Sequence, residues 1–383
     1  MTRVKWTEEM KRELLEAEGE GIKLFAEKYG LAFSNVDRKR RKLQEKEVKE
    51  VKSYQEIAEK KDLNTLMNER NLFAQIGEVF VASATKLPAP KLPEQINVSD
   101  CFDEEEMVFL FSDSQIGEVV NPNENGGLSA YSTQIFKERL EFLKHSLGKI
   151  IKIHKREVPY NRINVFFLGD IIEGSTIFRG QLRSIDINTV EQVMCAVDKL
   201  TYFVAWLATQ FTEVGCYCVV GNHGRIGNFG ENSPLDNLDY LVYKWMEERL
   251  SNYPNVKFNV ADTWWMTVER QNTKFTLVHG DDIKAWMNIP FYGADRSETR
   301  MQRLTRHNFD YYVLGHHHTK AEFGNIIMNG CWPGGSEFSL KRMQVGGVPT
   351  QKLFSVHKDF GVTWSRNIQL VNPKEIKLPK IYN

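Results

Sequence analysis

The chain has 383 residues, 42% of them apolar and 26% charged, and its 50 Lys+Arg balance its 50 Asp+Glu. That length exceeds most single compact cores, so two units are expected. No apolar run approaches the roughly 18 residues of a membrane helix, the N-terminus lacks the apolar core of a signal peptide, and five scattered cysteines suit a reducing cytoplasm.

Residues 1–60 are charged and helical in pattern. Thr7 is placed to cap a first helix carrying Met10, Leu14 and Leu15. A second helix presents Ile22, Phe25, Ala26 and Tyr29 on one face and stops at Gly30. Ser34 is placed to cap a third, which holds Arg38, Lys39, Arg40, Arg41 and Lys42. Three short helices with a basic third one resemble a helix-turn-helix or Myb-like unit, and the five basic residues are its candidate DNA contacts. A charged helical bundle used for oligomerisation is the plainer reading of the same pattern.

Residues 61–100 form a helical connector ending in a stiff stretch, ATKLPAPKLPEQ, with Pro88, Pro90 and Pro93, the best domain boundary. From 101 to 383 strands and helices alternate. Strands are predicted at Met107–Phe111, Ile163–Leu168, Cys216–Val220, Phe275–Val278 and Tyr311–Leu314. Cys216 and Cys218 share a face of their strand as core thiols. One long helix has Phe136, Leu140, Leu143, Leu147, Ile150 and Ile151 as its apolar face; another has Val190, Val193, Met194, Val197, Leu200, Val204 and Leu207.

Each of these five strands ends in a polar cluster: FSDSQ, LGDIIEG, VGNHGR, LVHGDD and LGHHHTK. Five of the nine histidines lie in those short stretches. A lone histidine after a strand is usually structural, and a lone Gly-Asp is a turn. Five such segments, each at a strand end where α/β sheets bind ligands, form a joint pattern with few plain explanations.

Asp113-x-Gln115, Gly169-Asp170-x-x-Glu173, Gly221-Asn222-His223-Gly224, His279-Gly280 and Gly315-His316-x-His318 resemble, in order, the signature of calcineurin-like metallophosphoesterases. The resemblance implies an α/β fold, a metallophosphoesterase β-sandwich flanked by helices in four αββα layers, here preceded by a small all-α domain. It implies two divalent cations bridged by Asp170. One would take Asp113, Asp170, His318 and Gln115, and the other Asp170, Asn222, His279 and His316. Mixed oxygen and imidazole donors suit Mn²⁺, with Fe or Zn as alternatives. Two such ions lower the pKa of a bridging water and clamp phosphate oxygens. His223 would be the general acid, and Arg225 is placed to pair with phosphate. His317, between two ligands, is expected to point away.

Two positions depart from the family pattern. Gln115 stands where a histidine is expected. Gly224 replaces the acidic residue that orients His223, leaving Glu231 and Asp236 as nearby candidates for that role.

The substrate expected is DNA, through a nuclease or exonuclease activity. The helical N-terminus points that way, and so does the segment after Gly-Asn-His, which looks like that of phage-encoded phosphoesterases and DNA-repair exonucleases. Lys341-Arg342 lie in a Gly-containing stretch suited to line a bound strand or merely to cap the sheet. The alternatives are a phosphomonoesterase or small- or cyclic-nucleotide phosphodiesterase, and a DNA-binding scaffold with an inactive domain. No membrane partner is expected, and homo-oligomerisation is left open.

Overall fold

The computed structural model describes residues 6–17, 20–44, 72, 74–77, 86–90, 92, 105–156, 158–227, 231, 233, 235–285, 289–335 and 347–371. The chain divides into two compact units, Met1–Gly77 and Glu78–Asn383. Most of the 61–100 connector, Pro93 and Lys341-Arg342 lie outside the described residues.

The described residues of the first unit are mostly helical. α1 (Glu8–Glu16) starts where the Thr7 hydroxyl accepts from Met10 N at 3.2 Å. α2 (Gly21–Lys28) ends on Gly30 at φ 60°. There Leu31 N donates to Ala26 O at 2.8 Å and Gly30 N to Glu27 O at 3.1 Å, the paired bonds of a Schellman stop. α3 is described over residues 33–44 and begins two residues earlier than a Ser34 cap allows. Ala32 takes the cap position, its carbonyl accepting from Val36 N at 3.2 Å. Leu14, Ile22, Phe25, Ala26 and Val36 form a small core, closed by Trp6, Met10 and Leu43. Val36 and Leu43, seven apart, face inward, so Arg38, Arg41 and Lys42 are exposed while Lys39 and Arg40 are half-buried.

The second unit is built on β1 (Glu105–Phe111), β2 (Arg162–Phe167), β3 (Glu213–Cys218) and β4 (Val256–Val260), which run parallel in that order. β10 (Thr350–His357) and β11 (Gly361–Gln369) extend the sheet beyond β1 in antiparallel sense. A second sheet has the order β5 (Trp265–Arg270), β6 (Thr273–Val278), β7 (Tyr311–Leu314), β9 (Ile326–Met328), β8 (Ala321–Phe323). The period-2 alternation of β1 explains the layering. Val108 and Leu110 join Phe275, Leu277 and Val313 between the sheets, whereas Phe109 packs on Phe203 of a helix on the other side.

α4 (Thr133–His154), α5 (Thr189–Ala208) and α6 (Leu238–Arg249) cover the first sheet. α7 (Phe291–Thr305) covers the second through Ala294 and Met301. These are the four αββα layers expected from sequence. The helix faces agree with the periodicity, with three exceptions. Met194 is exposed and Ile150 half-buried, each at the margin of its apolar stripe, and Val190 is half-buried in the first turn of its helix. The third strand ends at Cys218, two residues before its apolar run does, and the buried Val219 and Val220 lead into the loop beyond. Cys216 and Cys218 are buried free thiols. No described helix is long and apolar enough to cross a membrane.

Register decides where the loops begin. Phe111 pairs with Phe167, and Phe167 with Cys218, so the segments after β1, β2 and β3 leave the sheet side by side. In the second sheet Val278 pairs with Leu314, aligning the segments after β6 and β7.

Candidate metal centre

The backbone leaving these strands is strained where it turns. Among the described residues eight non-glycine positions have positive φ, and five are Asp113 (53°), Gln115 (40°), Asp170 (52°), His316 (61°) and His318 (53°). Left-handed backbone at such residues costs about 1–3 kcal/mol each and persists only where surrounding bonds enforce it. Those bonds are present. Asp113 N donates to Gly169 O and Gln115 N to Asp170 O, both at 3.0 Å. His316 N donates to Asp113 Oδ1 at 2.9 Å, joining the two sheets. Gly315 is required at that junction, since a Cβ there would lie 2.6 Å from Asp113 Oδ2.

Seven predicted donors come together. His279 is the hub: its Nε2 lies 3.0 Å from Asp170 Oδ2, 3.1 Å from Asn222 Oδ1 and 3.2 Å from His316 Nδ1. Its Nδ1 bonds Leu168 O at 2.7 Å, which fixes the ring and leaves Nε2 facing the other donors. Asp170, His279 and His316 offer ligand atoms all within 4.8 Å of one another. Alongside, His318 Nε2 lies 3.5 Å from Asp113 Oδ1 and 3.4 Å from Gln115 Nε2.

Two oxygens here test the fit to a cation. Asp113 Oδ2 and Gln115 Oε1 are shut off from solvent with no hydrogen-bond partner. Buried orphan acceptors of this kind are rare, and a hard cation satisfies them. The donor set therefore fits divalent metal, with the Gln115 oxygen available in place of an imidazole.

The electrostatics follow from crowding. Burial opposes ionisation of Asp170, yet the charges of His279 and His223 hold it well below the usual carboxylate range. Burial also opposes charge on His279, but Asp170 outweighs it and pushes the imidazole up to about 10. His316 moves the other way, lowered by burial and by His279. Burial likewise disfavours charge on His318, and Cys331 and Asp113 beside it overcome that effect. His317 lies against the His316 ring, centroids 5.1 Å apart, outside the Asp170–His279–His316 group.

His223 is oriented by Glu173, a residue already in the second motif. His223 Nδ1 lies 3.0 Å from both Glu173 Oε2 and Glu173 O, and His223 N donates to Asp170 Oδ1 at 2.8 Å. Asp236, one of the two candidates for that role, engages instead through its carbonyl, which accepts from Ile226 N at 3.3 Å. Burial works against the His223 imidazolium, but Asp170 and Glu173 push it up to about 10. Gly224 has no room for an acidic side chain: a Cβ there would lie 2.3 Å from Asn237 Oδ1 and 3.0 Å from Asp239 Cγ. Arg225 is half-buried, its backbone bridged to Asn237.

Several supporting residues were not singled out from sequence. Asp239, fully buried on the first turn of α6, accepts from Asp170 N (2.8 Å), Ile171 N (3.1 Å) and Gly221 N (3.0 Å). Burial, and then the charge of Asp170, raise its carboxyl to about 6. Gln351 accepts from Ser112 N at 3.0 Å and from Asn329 Nδ2 at 2.9 Å, holding the approach to Asp113. Glu118 is half-buried with Oε2 enclosed. Burial and the nearby Glu173 push its carboxyl up to about 8, against the pull of His318 and His223. An acidic residue three positions after Gln115 was the one available signal for it.

A four-layer sandwich with this donor set at the carboxyl ends of its strands defines a metal-dependent phosphoesterase, a hydrolase. Residues 139–320 match the calcineurin-like phosphoesterase family model, so the chain carries a calcineurin-like metallophosphoesterase domain. Among solved structures, Vps29 from Entamoeba histolytica, complexed with Zn²⁺, is 12% identical. That match covers 69% of this chain and 99% of that one, with a TM-score of 0.28. A Streptococcus pneumoniae protein described as a predicted phosphoesterase is 11% identical over 70% of this chain and 98% of that one, TM-score 0.25. Vps29 from Chaetomium thermophilum is 8% identical over 68% and 96%, TM-score 0.28. No curated protein matches the chain.

Proposed function

We propose that the protein is a two-metal phosphodiesterase acting on DNA, a nuclease, with Mn²⁺ as the favoured ion and Fe or Zn as alternatives. The observation that carries this reading is the convergence of donors from five strand ends, with the Asp113 and Gln115 oxygens left without partners. In this reading Asp170 would serve both ions. Asp113, Gln115 and His318 would complete one position, and Asn222, His279 and His316 the other. Bound, such ions supply Lewis acidity toward phosphate oxygens and acidify water. His223, held protonated and fixed in direction by Glu173, gives its proton to the departing oxygen. Arg225, two residues on, adds positive charge for the phosphate.

DNA as the substrate rests on the N-terminal unit. Exposed Arg38, Arg41 and Lys42 lie along one helix with half-buried Lys39 and Arg40, the composition of a helix that meets phosphates. Arg41 also pairs with Asp37 at 2.9 Å, so Arg38 and Lys42 carry more of this role. The test is a panel of labelled single- and double-stranded DNA, RNA and a cyclic nucleotide, incubated with Mn²⁺. Cleavage of DNA, lost in Asp170→Ala and His223→Ala, is the expected result. Turnover of the cyclic nucleotide alone would replace DNA by a small-molecule substrate.

A further inference from the structure

Building on the phosphodiesterase reading, we propose that Phe178 is a stacking platform for a nucleobase next to the scissile phosphate. Phe178 lies on the loop between β2 and the 3₁₀ turn Gln181–Ser184. The residue is 51% exposed, and its ring meets the His223 ring at 6.3 Å between centroids, with the planes 70° apart. An aromatic ring that stays half open beside the general acid offers a flat apolar surface within reach of the reacting phosphate. A base has a π-face to cover such a surface, whatever its identity.

The loop is pinned, so the platform is already in place. Ile177 N donates to Gln181 Oε1 at 2.9 Å. Gln181, fully buried, donates through Nε2 to Glu173 O at 2.7 Å and to Glu173 Oε1 at 2.8 Å. The side chain that positions the Phe178 loop thus also positions the carboxylate facing His223. At the far end of the loop, Val119 N donates to Ser184 O at 2.8 Å. A platform fixed in advance loses little conformational entropy on binding. Arg179 follows Phe178 directly and Arg183 lies five positions beyond Phe178 on the same segment; both are exposed, which suits phosphates next to a stacked nucleotide. Aromatic and cationic groups on one loop form the combination used to hold single strands.

Calorimetric titration of the full chain loaded with Mn²⁺ tests this, with dAMP and deoxyribose 5-phosphate as probes. The two share their phosphate and differ by the base. The wild type is expected to bind dAMP about tenfold more tightly, the scale of base–aromatic stacking. Phe178→Ala removes that preference and leaves deoxyribose 5-phosphate binding unchanged, while Phe178→Trp keeps it. Equal binding of the two probes, or a preference that survives Phe178→Ala, overturns the proposal, as does a phosphoserine peptide binding more tightly than dAMP. A base preference without DNA cleavage upholds Phe178 and refutes the nuclease reading. Cleavage without a base preference does the reverse.

Discussion

Replacing Asp239 should dismantle the centre without touching any donor in it. Its carboxylate accepts from the backbone N–H groups of Asp170, Ile171 and Gly221 at 2.8–3.1 Å, and the side chain is fully buried. Hydrogen bonds to a charged group contribute about 1.5–3 kcal/mol each. Their direct sum overstates the loss, because the three share one acceptor and are not independent. Burial first, and then the charge of Asp170, raise the Asp239 carboxyl to about 6, and removing the carboxylate relieves both. Breaking one side of a buried charged network typically costs about 3–5 kcal/mol, and Asp239→Ala belongs in that range. Asp239→Asn keeps an acceptor oxygen and should cost about 1–2 kcal/mol.

Urea unfolding of the metal-free protein measures the first quantity, and competition with a chelating dye measures the second. Outer-shell changes of this kind weaken metal binding by about 10–100-fold. The donors themselves remain, so the Asp239→Ala loss must come from the backbone of Asp170 and Gly221 relaxing. Unfolding within 1 kcal/mol of wild type, with unchanged metal affinity, would refute the account of Asp239 as the clamp between two ligand loops.

Asp170→Ala should abolish stoichiometric Mn²⁺ binding at both positions, as read by metal analysis after gel filtration. Gln115→His should preserve or tighten binding, because an imidazole is a stronger donor than a carboxamide oxygen; weaker binding by calorimetry would mean that Gln115 points elsewhere when metal is bound. Glu173→Gln should lower turnover about 10²-fold or more, within the range of general acid–base catalysis, with metal content unchanged. Far from the centre, the Lys155 ammonium donates to Gln210 O at 2.5 Å and lies 4.2 Å from the Phe211 ring centroid. Burial lowers its pKa to about 8 from 10.5, so the unfolded chain binds the extra proton between those values and stability rises with pH across that window. With solvent screening at this partly exposed site the gain is about 1 kcal/mol. Comparing unfolding midpoints at pH 7.5 and 9.5, Lys155→Met should lose that increment.

The strands that carry the candidate donors were legible because each apolar run ends abruptly in Asp, Asn or His, a break that burial on both faces makes conspicuous. The supporting shell was not legible, and the reason is physical. Asp239 reads as an ordinary acidic residue in the first turn of a helix, yet it serves backbone groups 69 positions earlier. Gln351 sits inside β10 and Asn329 just past the end of β9, and their partners at Ser112 are more than 200 positions away. Local pattern carries no signal for bonds of that span. Ser34 failed as a cap for the opposite reason: its type suited the role, but the Schellman stop at Gly30–Leu31 left Ala32 as the first residue free to begin α3.

Gly224 shows how a departure from pattern is resolved in three dimensions. Read alone, losing the acid after His223 leaves the proposed general acid without an orienting carboxylate. The space such a side chain would enter is filled by Asn237 and Asp239, and Asn237 Nδ2 also donates to Gly221 O at 2.8 Å. The negative charge has not left the site. Asp239 supplies it behind the Asp170 and Gly221 backbone, and Glu173 supplies it at His223 Nδ1. These two roles are separable, so they predict different failures: Glu173 variants should lose turnover while keeping metal, whereas Asp239 variants should lose both together.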